Sequence, residues 1–272
     1  MKTIAVSDIH LGSQSCDKKA FQDFLVTLQD DKDLTDLVVL GDFVDMWRRD
    51  ASGVFLENMD TMQLLKDLGK KIELHFIAGN HDYHLLRLRN RAPHYNYPFE
   101  FHQVLVLEDS GHTYRFVHGY EFEYGKEHEL MKIAMETLCH VMSDSEGKEE
   151  DEFWSYIIRT LSDLHFSALT KSLEGDNVKI KAKSLMSGPE VRLKDKLEAT
   201  EKAARAAHSG KEGEIIVFGH THHPFINAKG NVVNTGSWVN EATPHNTYVE
   251  LVKGRPRLFV FGQGEILDRL DV

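Results

Sequence analysis

Five apolar runs in this chain each stop at a residue able to bind a metal or move a proton, and that recurrence limits the folds open to it. Met1-Lys2-Thr3-Ile4-Ala5-Val6-Ser7 leads to Asp8 and His10, and Leu37-Val38-Val39-Leu40 leads to Gly41-Asp42. Leu74-His75-Phe76-Ile77-Ala78 leads to Gly79-Asn80-His81-Asp82, and Tyr114-Arg115-Phe116-Val117 leads to His118-Gly119. Ile215-Ile216-Val217-Phe218 leads to Gly219-His220-Thr221-His222-His223-Pro224. Short apolar runs bounded by glycine read as buried strands. The loops at one end of a layered sheet collect functional groups, so one site at one sheet edge accounts for all five. Side chains at i and i+2 of an extended strand share a face, which would aim Asp8 with His10, and His220 with His222, at one spot. Gly41 and Gly79 permit sharp turns before Asp42 and Asn80.

Singly, these motifs carry unequal weight. A Gly-Asp pair at a strand end is usually a turn, and a lone His118 is more often a packed histidine. Three histidines within four residues, His220, His222 and His223, rarely serve packing. Taken together, Asp8, His10, Asp42, Asn80, His118, His220 and His222 offer oxygen and nitrogen donors in the number and kind that two adjacent divalent cations need.

The ordered blocks D-x-H, G-D, G-N-H-[DE], H and G-H-x-H resemble the calcineurin-like metallophosphoesterase superfamily, and all five are matched here. The resemblance implies an α/β (α+β) fold, a two-sheet β-sandwich flanked by helices in four layers, with a helical insertion. It also implies that Asp42 bridges two metals, that Asp8, His10 and His222 complete one, and that Asn80, His118 and His220 complete the other. His81 would bind neither. Two such cations about 3.5 to 4 Å apart share a hydroxide, lower the pKa of its parent water and clamp phosphoryl oxygens during in-line attack. Manganese is the expected ion, with iron and zinc as alternatives for this mixed shell. Asp82 is expected to orient His81 and favour its protonated form, so that His81 handles the proton of the leaving oxygen.

A helical pattern spans about Asp17 to Leu28, with Phe21, Phe24, Leu25 and Leu28 on one face, and another spans about Val54 to Leu68. Runs at Glu100 to Leu107 and Tyr114 to Val117 read as an antiparallel pair joined through Asp109-Ser110-Gly111. Val232 to Asn234, Thr247 to Val252 and Leu258 to Phe261 make the end of the chain β-rich. Residues 1–272 are therefore read as a single domain.

The motif spacing is uneven: 38 residues separate Asn80 from His118, whereas 102 separate His118 from His220. An insertion of about 122–212 fills the gap. Met131, Ala134, Met135, Leu138, Val141 and Met142 fit one helical face, Trp154, Ile157, Ile158, Leu161 and Leu164 fit another, and a further helix runs from about Pro189 to Ala207. Between them lies the basic segment Lys179 to Lys183. The insertion is either a cap that packs on the sandwich or a lid that shapes the substrate pocket. Its placement, with Gly41-Asp42-Phe43-Val44-Asp45-Met46-Trp47, is similar to the branch containing UDP-2,3-diacylglucosamine hydrolases, which cleave a pyrophosphate in lipid A synthesis. Bacterial members of that branch typically carry arginine, glutamate and aspartate where this chain has His81, Asp45 and Tyr120.

Arg48, Arg87 and Arg89, with His84 and His223, are candidate substrate contacts, since guanidinium groups suit bidentate phosphate binding. Asp45 either orders a loop, orients a histidine or caps a helix; Trp47 and Trp238 are core or pocket wall. Cys16 and Cys139 are too few for a disulfide framework, and no apolar run is long enough to span a bilayer. A chain that begins directly with its first strand is expected to be cytoplasmic. A net charge of −11 argues against broad nucleic-acid binding. The expected partner is a small phosphate ester or nucleotide-containing substrate, with peripheral membrane contact if that substrate is a lipid. A nuclease, a phosphoprotein phosphatase and, in a different class, an inactive metal-binding scaffold are the alternatives; the scaffold reading predicts lost ligands, and none is lost.

Overall fold

The strand runs are apolar on both sides because both faces of each sheet are covered. A computed structural model describes residues 1–89, 100–124, 189–207 and 212–266. The elements of the larger sheet are β1 (Lys2–Val6), β2 (Asp36–Leu40), β3 (Glu73–Ile77), β4 (Glu100–His102), β10 (Thr247–Val252), β11 (Arg255–Val260) and β12 (Gly264–Ile266). Those of the smaller sheet are β5 (Leu105–Asp109), β6 (His112–Phe116), β7 (Glu214–Phe218), β8 (Phe225–Ile226) and β9 (Val232–Asn234). The strand orders are β12-β11-β10-β1-β2-β3-β4 and β5-β6-β7-β9-β8. β1, β2, β3 and β4 run parallel, as do β6, β7 and β9, so the ends of all the ligand-bearing strands lie at one edge.

Alternation divides each strand between two cores. Leu37 and Val39 of β2 face α1 (Lys18–Leu28) and α3 (Met59–Leu68), where Phe21, Phe24, Leu25, Leu65, Leu68 and Trp238 also pack. Val38 and Leu40 face the other sheet and meet Tyr114, Phe116, Ile215 and Val217. The outer face of the smaller sheet packs Ile216 and Phe218 against Ala204 of α5 (Pro189–Ala207), with Phe122 of α4 (Tyr120–Tyr124) alongside. Helices, sheet, sheet and helices give the four layers that the family resemblance implies.

Residues Lys18–Leu28 form α1 with the anticipated buried face, and Asp17 caps it by accepting from the Ala20 amide at 3.2 Å. The helix expected over Val54 to Leu68 is two helices, α2 (Ala51–Glu57) and α3. Asn58 sits between them at φ −121°, its buried amide donating to the Val54 carbonyl at 2.6 Å, a local bond that competes with helix continuation. The 100–107 run is also divided: residues 100–102 join β3 in the larger sheet, and residues 105–109 form the hairpin with β6 around Ser110-Gly111, both at positive φ. The helical faces at 131–142 and 154–164 and the basic segment 179–183 lie outside the described residues. Among the described residues, no helix is long and apolar enough to cross a membrane.

Candidate metal centre

Asp8, His10, Asp42, His220 and His222 are held beyond their strands in left-handed backbone, with φ between 50° and 67°. Strand alternation therefore does not bring Asp8 to His10, because β1 has ended at Val6; successive left-handed turns do. Non-glycine residues visit this region at a cost, and such strain clusters where a site requires it. The loops hold one another in place. Asp8 N donates to Gly41 O at 3.1 Å and His10 N to Asp42 O at 2.8 Å, while Gly219 N donates to His118 O at 2.8 Å.

Three carboxylates extend this lacing. Asp8 Oδ2 accepts from His220 N at 2.8 Å, and Asp42 Oδ1 accepts from His81 N at 2.9 Å. Asp82 accepts from Phe43 N and Gly79 N, both at 2.7 Å. Gly79 is needed for closeness: a Cβ there would collide with the Asp42 carboxylate and amide.

The seven anticipated residues converge. One donor atom each from Asp8, His10 and His222 lie within 4.8 Å of one another, as do one each from Asp42, His118 and His220. Asp42 Oδ2 stands between the groups, 3.3 Å from His118 Nε2 and 3.7 Å from His10 Nε2. Asn80 Oδ1 is 3.2 Å from His118 Nε2. His118 gives its Nδ1 proton to Leu40 O at 2.5 Å, which turns Nε2 toward the cluster.

The electrostatics suit a cation. Burial pushes the Asp8 carboxyl up, but His222 opposite holds it at about 2. Asp42 is likewise held well below the usual carboxylate range, its burial outweighed by His118, His81 and His10. Asp8 Oδ1 is buried without a hydrogen bond and faces His222 Nε2 at 3.2 Å, while the Nε2 atoms of His10 and His222 stand 3.4 Å apart. Ionised oxygens and imidazole nitrogens aimed at one another in this way are a donor set that fits divalent metal ions.

His81 departs from the sequence expectation in its partner. Its Nδ1 lies 2.9 Å from Asp45 Oδ1, whereas the Asp82 carboxylate serves the backbone amides of the neighbouring ligand loops. Burial and the charge of Asp42 push Asp82 up to about 6, against the pull of the Gly79 and Phe43 amides. Asp45 also meets His10 Nδ1 at 3.4 Å and Arg48 Nη1 at 2.7 Å. Burial lowers the His81 imidazole, but Asp42 and Asp45 together hold it above its ordinary value. Trp47 stacks on that ring with centroids 4.1 Å apart and backs it without lining the cavity, and the fully buried Trp238 is core.

A cavity of about 130 Å³ opens over the cluster, walled by His10, Asp42, Asn80, His81, His220 and His222 together with Ser15 and Val239, and the exposed Arg48 and Glu241 stand at its rim. Of the five candidate substrate contacts only Arg48 lines it. Arg87 and Arg89 project to solvent around the short 3-10 helix Tyr83–Leu88, and His84 is not part of the wall. His223 instead meets Glu201 of α5 at 3.1 Å. Sequence reasoning missed Asn234, whose amide donates to Gly219 O at 2.8 Å and Thr221 Oγ1 at 3.0 Å and so holds the last ligand loop. It ends the apolar run Val232-Val233, the same signal that marks the ligands. Glu201, in a charged helix, has no such signal.

A two-sheet sandwich that gathers carboxylates, imidazoles and an asparagine carbonyl at one strand edge defines a metal-dependent hydrolase. The chain belongs to the calcineurin-like phosphoesterase family, whose model matches residues 1–224; it is a hydrolase of phosphoric esters. It is similar to a UDP-2,3-diacylglucosamine hydrolase of Shewanella sp. (strain W3-18-1), 24% identical over 250 residues that cover 89% of this chain and 91% of the relative. The protein of that name from Shewanella sp. (strain MR-4) is 34% identical over 86 residues, 31% of this chain and 35% of the relative. A solved archaeal phosphodiesterase aligns over 96% of this chain and 99% of its own at 14% identity and a TM-score of 0.46.

Proposed function

We propose that this enzyme hydrolyses a phosphodiester or pyrophosphate bond at a binuclear centre. Asp8, His10 and His222 would hold one ion, Asn80, His118 and His220 the other, and Asp42 both. The observation that carries the reading is the place of Asp42 Oδ2 between the imidazoles of the two groups. Two divalent ions, manganese in our reading, supply Lewis acidity toward the phosphoryl oxygens and an activated water. The remaining work falls to the chain's own residues. His81, positioned by Asp45 and Trp47, holds a proton at Nε2 on the cavity wall and gives it to the leaving oxygen. Arg48 at the rim takes a phosphate oxygen. Asp82 acts as a positioning residue for the two loops it laces.

A cavity of about 130 Å³ accommodates little more than a phosphoryl group, whereas sites for larger ligands enclose roughly 300–1,000 Å³. The rest of the substrate therefore extends past the rim; our reading is that residues 1–272 form one domain whose insertion at about 122–212 shapes the substrate pocket. We place the enzyme in the cytoplasm, acting on a small phosphate ester rather than on nucleic acid. A second reading, a nucleotide-sugar pyrophosphatase, is favoured by the relative that aligns along 89% of this chain. The departures at His81, Asp45 and Tyr120 argue for a different substrate.

The test is a screen of the manganese-loaded full chain against model diesters, cyclic nucleotides, dinucleotides and nucleotide sugars, with Asp42→Ala as control. Hydrolysis of a diester or pyrophosphate that Asp42→Ala abolishes is the expected result. A wild-type chain that binds metal yet cleaves no mono-, di- or pyrophosphate ester would overturn the reading.

A further inference from the structure

A second cluster of donors lies on the β3–β4 edge of the larger sheet. Glu100 and His102 are two apart on β4 and so share a face, and His75 stands opposite Glu100 on β3. That face is turned toward the smaller sheet, as its neighbour Ile77 in the inter-sheet core marks. One nitrogen from each ring and one Glu100 oxygen lie within 4.8 Å of one another. Glu100 Oε2 is 3.4 Å from His102 Nε2, and the two ring centroids are 5.5 Å apart.

Two features distinguish this trio from a chance meeting of surface side chains. His75 Nδ1 and His102 Nε2 are buried, and neither has a hydrogen-bond partner among the described residues. A buried nitrogen left in that state is costly unless something answers it. The other nitrogen of His75 is committed: Nε2 lies 3.3 Å from Asp36 Oδ1 on β2, which in turn accepts from Thr35 through Oδ2 at 2.6 Å. A carboxylate on one ring nitrogen fixes the tautomer and leaves a lone pair on the other, the arrangement found behind metal-bound imidazoles. Burial and the neighbouring His75 both hold His102 below its ordinary value, which keeps that ring a neutral donor despite Glu100.

We propose that His75 Nδ1, His102 Nε2 and the Glu100 carboxylate bind one divalent transition ion of the zinc class, with Asp36 orienting His75. Two imidazoles and one carboxylate suit zinc, and three protein ligands leave a fourth position for water. Its effect is mechanical. Among the described residues β4 is a three-residue edge strand that pairs only with β3, and an ion bound across both strands fastens it there. This site is separate from the phosphoesterase centre and does not rest on how that centre works.

The full-length wild type, His102→Ala and Glu100→Gln are each equilibrated with buffered zinc, checked for folding by circular dichroism, and assayed for metal by elemental mass spectrometry. His102→Ala is expected to hold one equivalent fewer zinc per chain than wild type, with turnover of a model diester unchanged. Because the content is read as a difference between chains, the number of ions at the catalytic centre cancels. Glu100→Gln changes an exposed side chain and is expected to weaken that one equivalent at least tenfold against a competing chelator. Equal zinc content in wild type and folded His102→Ala overturns the site; if that variant does not fold, unchanged affinity in Glu100→Gln does so.

Discussion

Asp45 Oδ1 lies 2.9 Å from His81 Nδ1, and through this contact a carboxylate that touches neither cavity nor solvent sets the orientation of a ring that lines the cavity. Its other oxygen faces His10 Nδ1 at 3.4 Å, so one residue orients both the proposed proton donor and a proposed metal ligand. Asp45→Asn keeps the volume and removes the charge. Turnover is expected to fall about 10–100-fold, as for other groups that orient metal-bound histidines, with kcat affected more than KM. Steady-state kinetics within twofold of wild type would show that the contact is idle.

Gly79 packs its α-carbon against Asp42, where a methyl group meets both the carboxylate and the amide of that residue. Gly79→Ala therefore displaces the carboxylate that stands between the two ligand groups. Hydrolysis is expected to drop at least 100-fold, a cost typical of displacing a reacting group by about 1 Å, while circular dichroism stays that of wild type. Normal activity in this variant would mean that the Asp42 position tolerates movement.

Asp82 is the hub between two loops, accepting from the Phe43 and Gly79 amides. In Asp82→Ala both buried donors lose their acceptor. The expected loss is about 1.5–3 kcal/mol for each bond to a charged group, read as a lower denaturation midpoint. Unchanged stability would indicate that other acceptors replace the carboxylate.

Trp238 joins core to site: its ring packs among Phe21, Phe24 and Phe261, and its amide donates to Asp8 O at 3.0 Å. Trp238→Ala is expected to destabilise by about 3–5 kcal/mol and to weaken metal retention through the shifted Asp8 loop. A calorimetric change below about 1 kcal/mol would contradict the packing argument.

Much of this architecture is legible in the sequence. The apolar runs are strands, Phe21, Phe24, Leu25 and Leu28 form the buried face of α1, and Ser110-Gly111 turns the hairpin. These follow from local periodicity and turn chemistry, which neighbouring residues determine. The break at Asn58 was not legible, because it depends on where its amide finds an acceptor. Nor was the way Asp8 reaches His10, because spacing by two suggests an extended strand and the backbone is left-handed instead.

The sequence by itself determined which residue types stand at the ends of which strands, and hence the donors available and the chemistry they permit. Only the tertiary structure decided which carboxylate serves which imidazole. Asp82 is adjacent to His81 in sequence but turns toward two backbone amides, while Asp45, 36 residues away, takes the ring. It also turned Arg87 and Arg89 to solvent and tied His223 to Glu201. The physical reason is that a hydrogen bond depends on distance and direction in space. Loops folded over one another bring together groups that chain order leaves far apart.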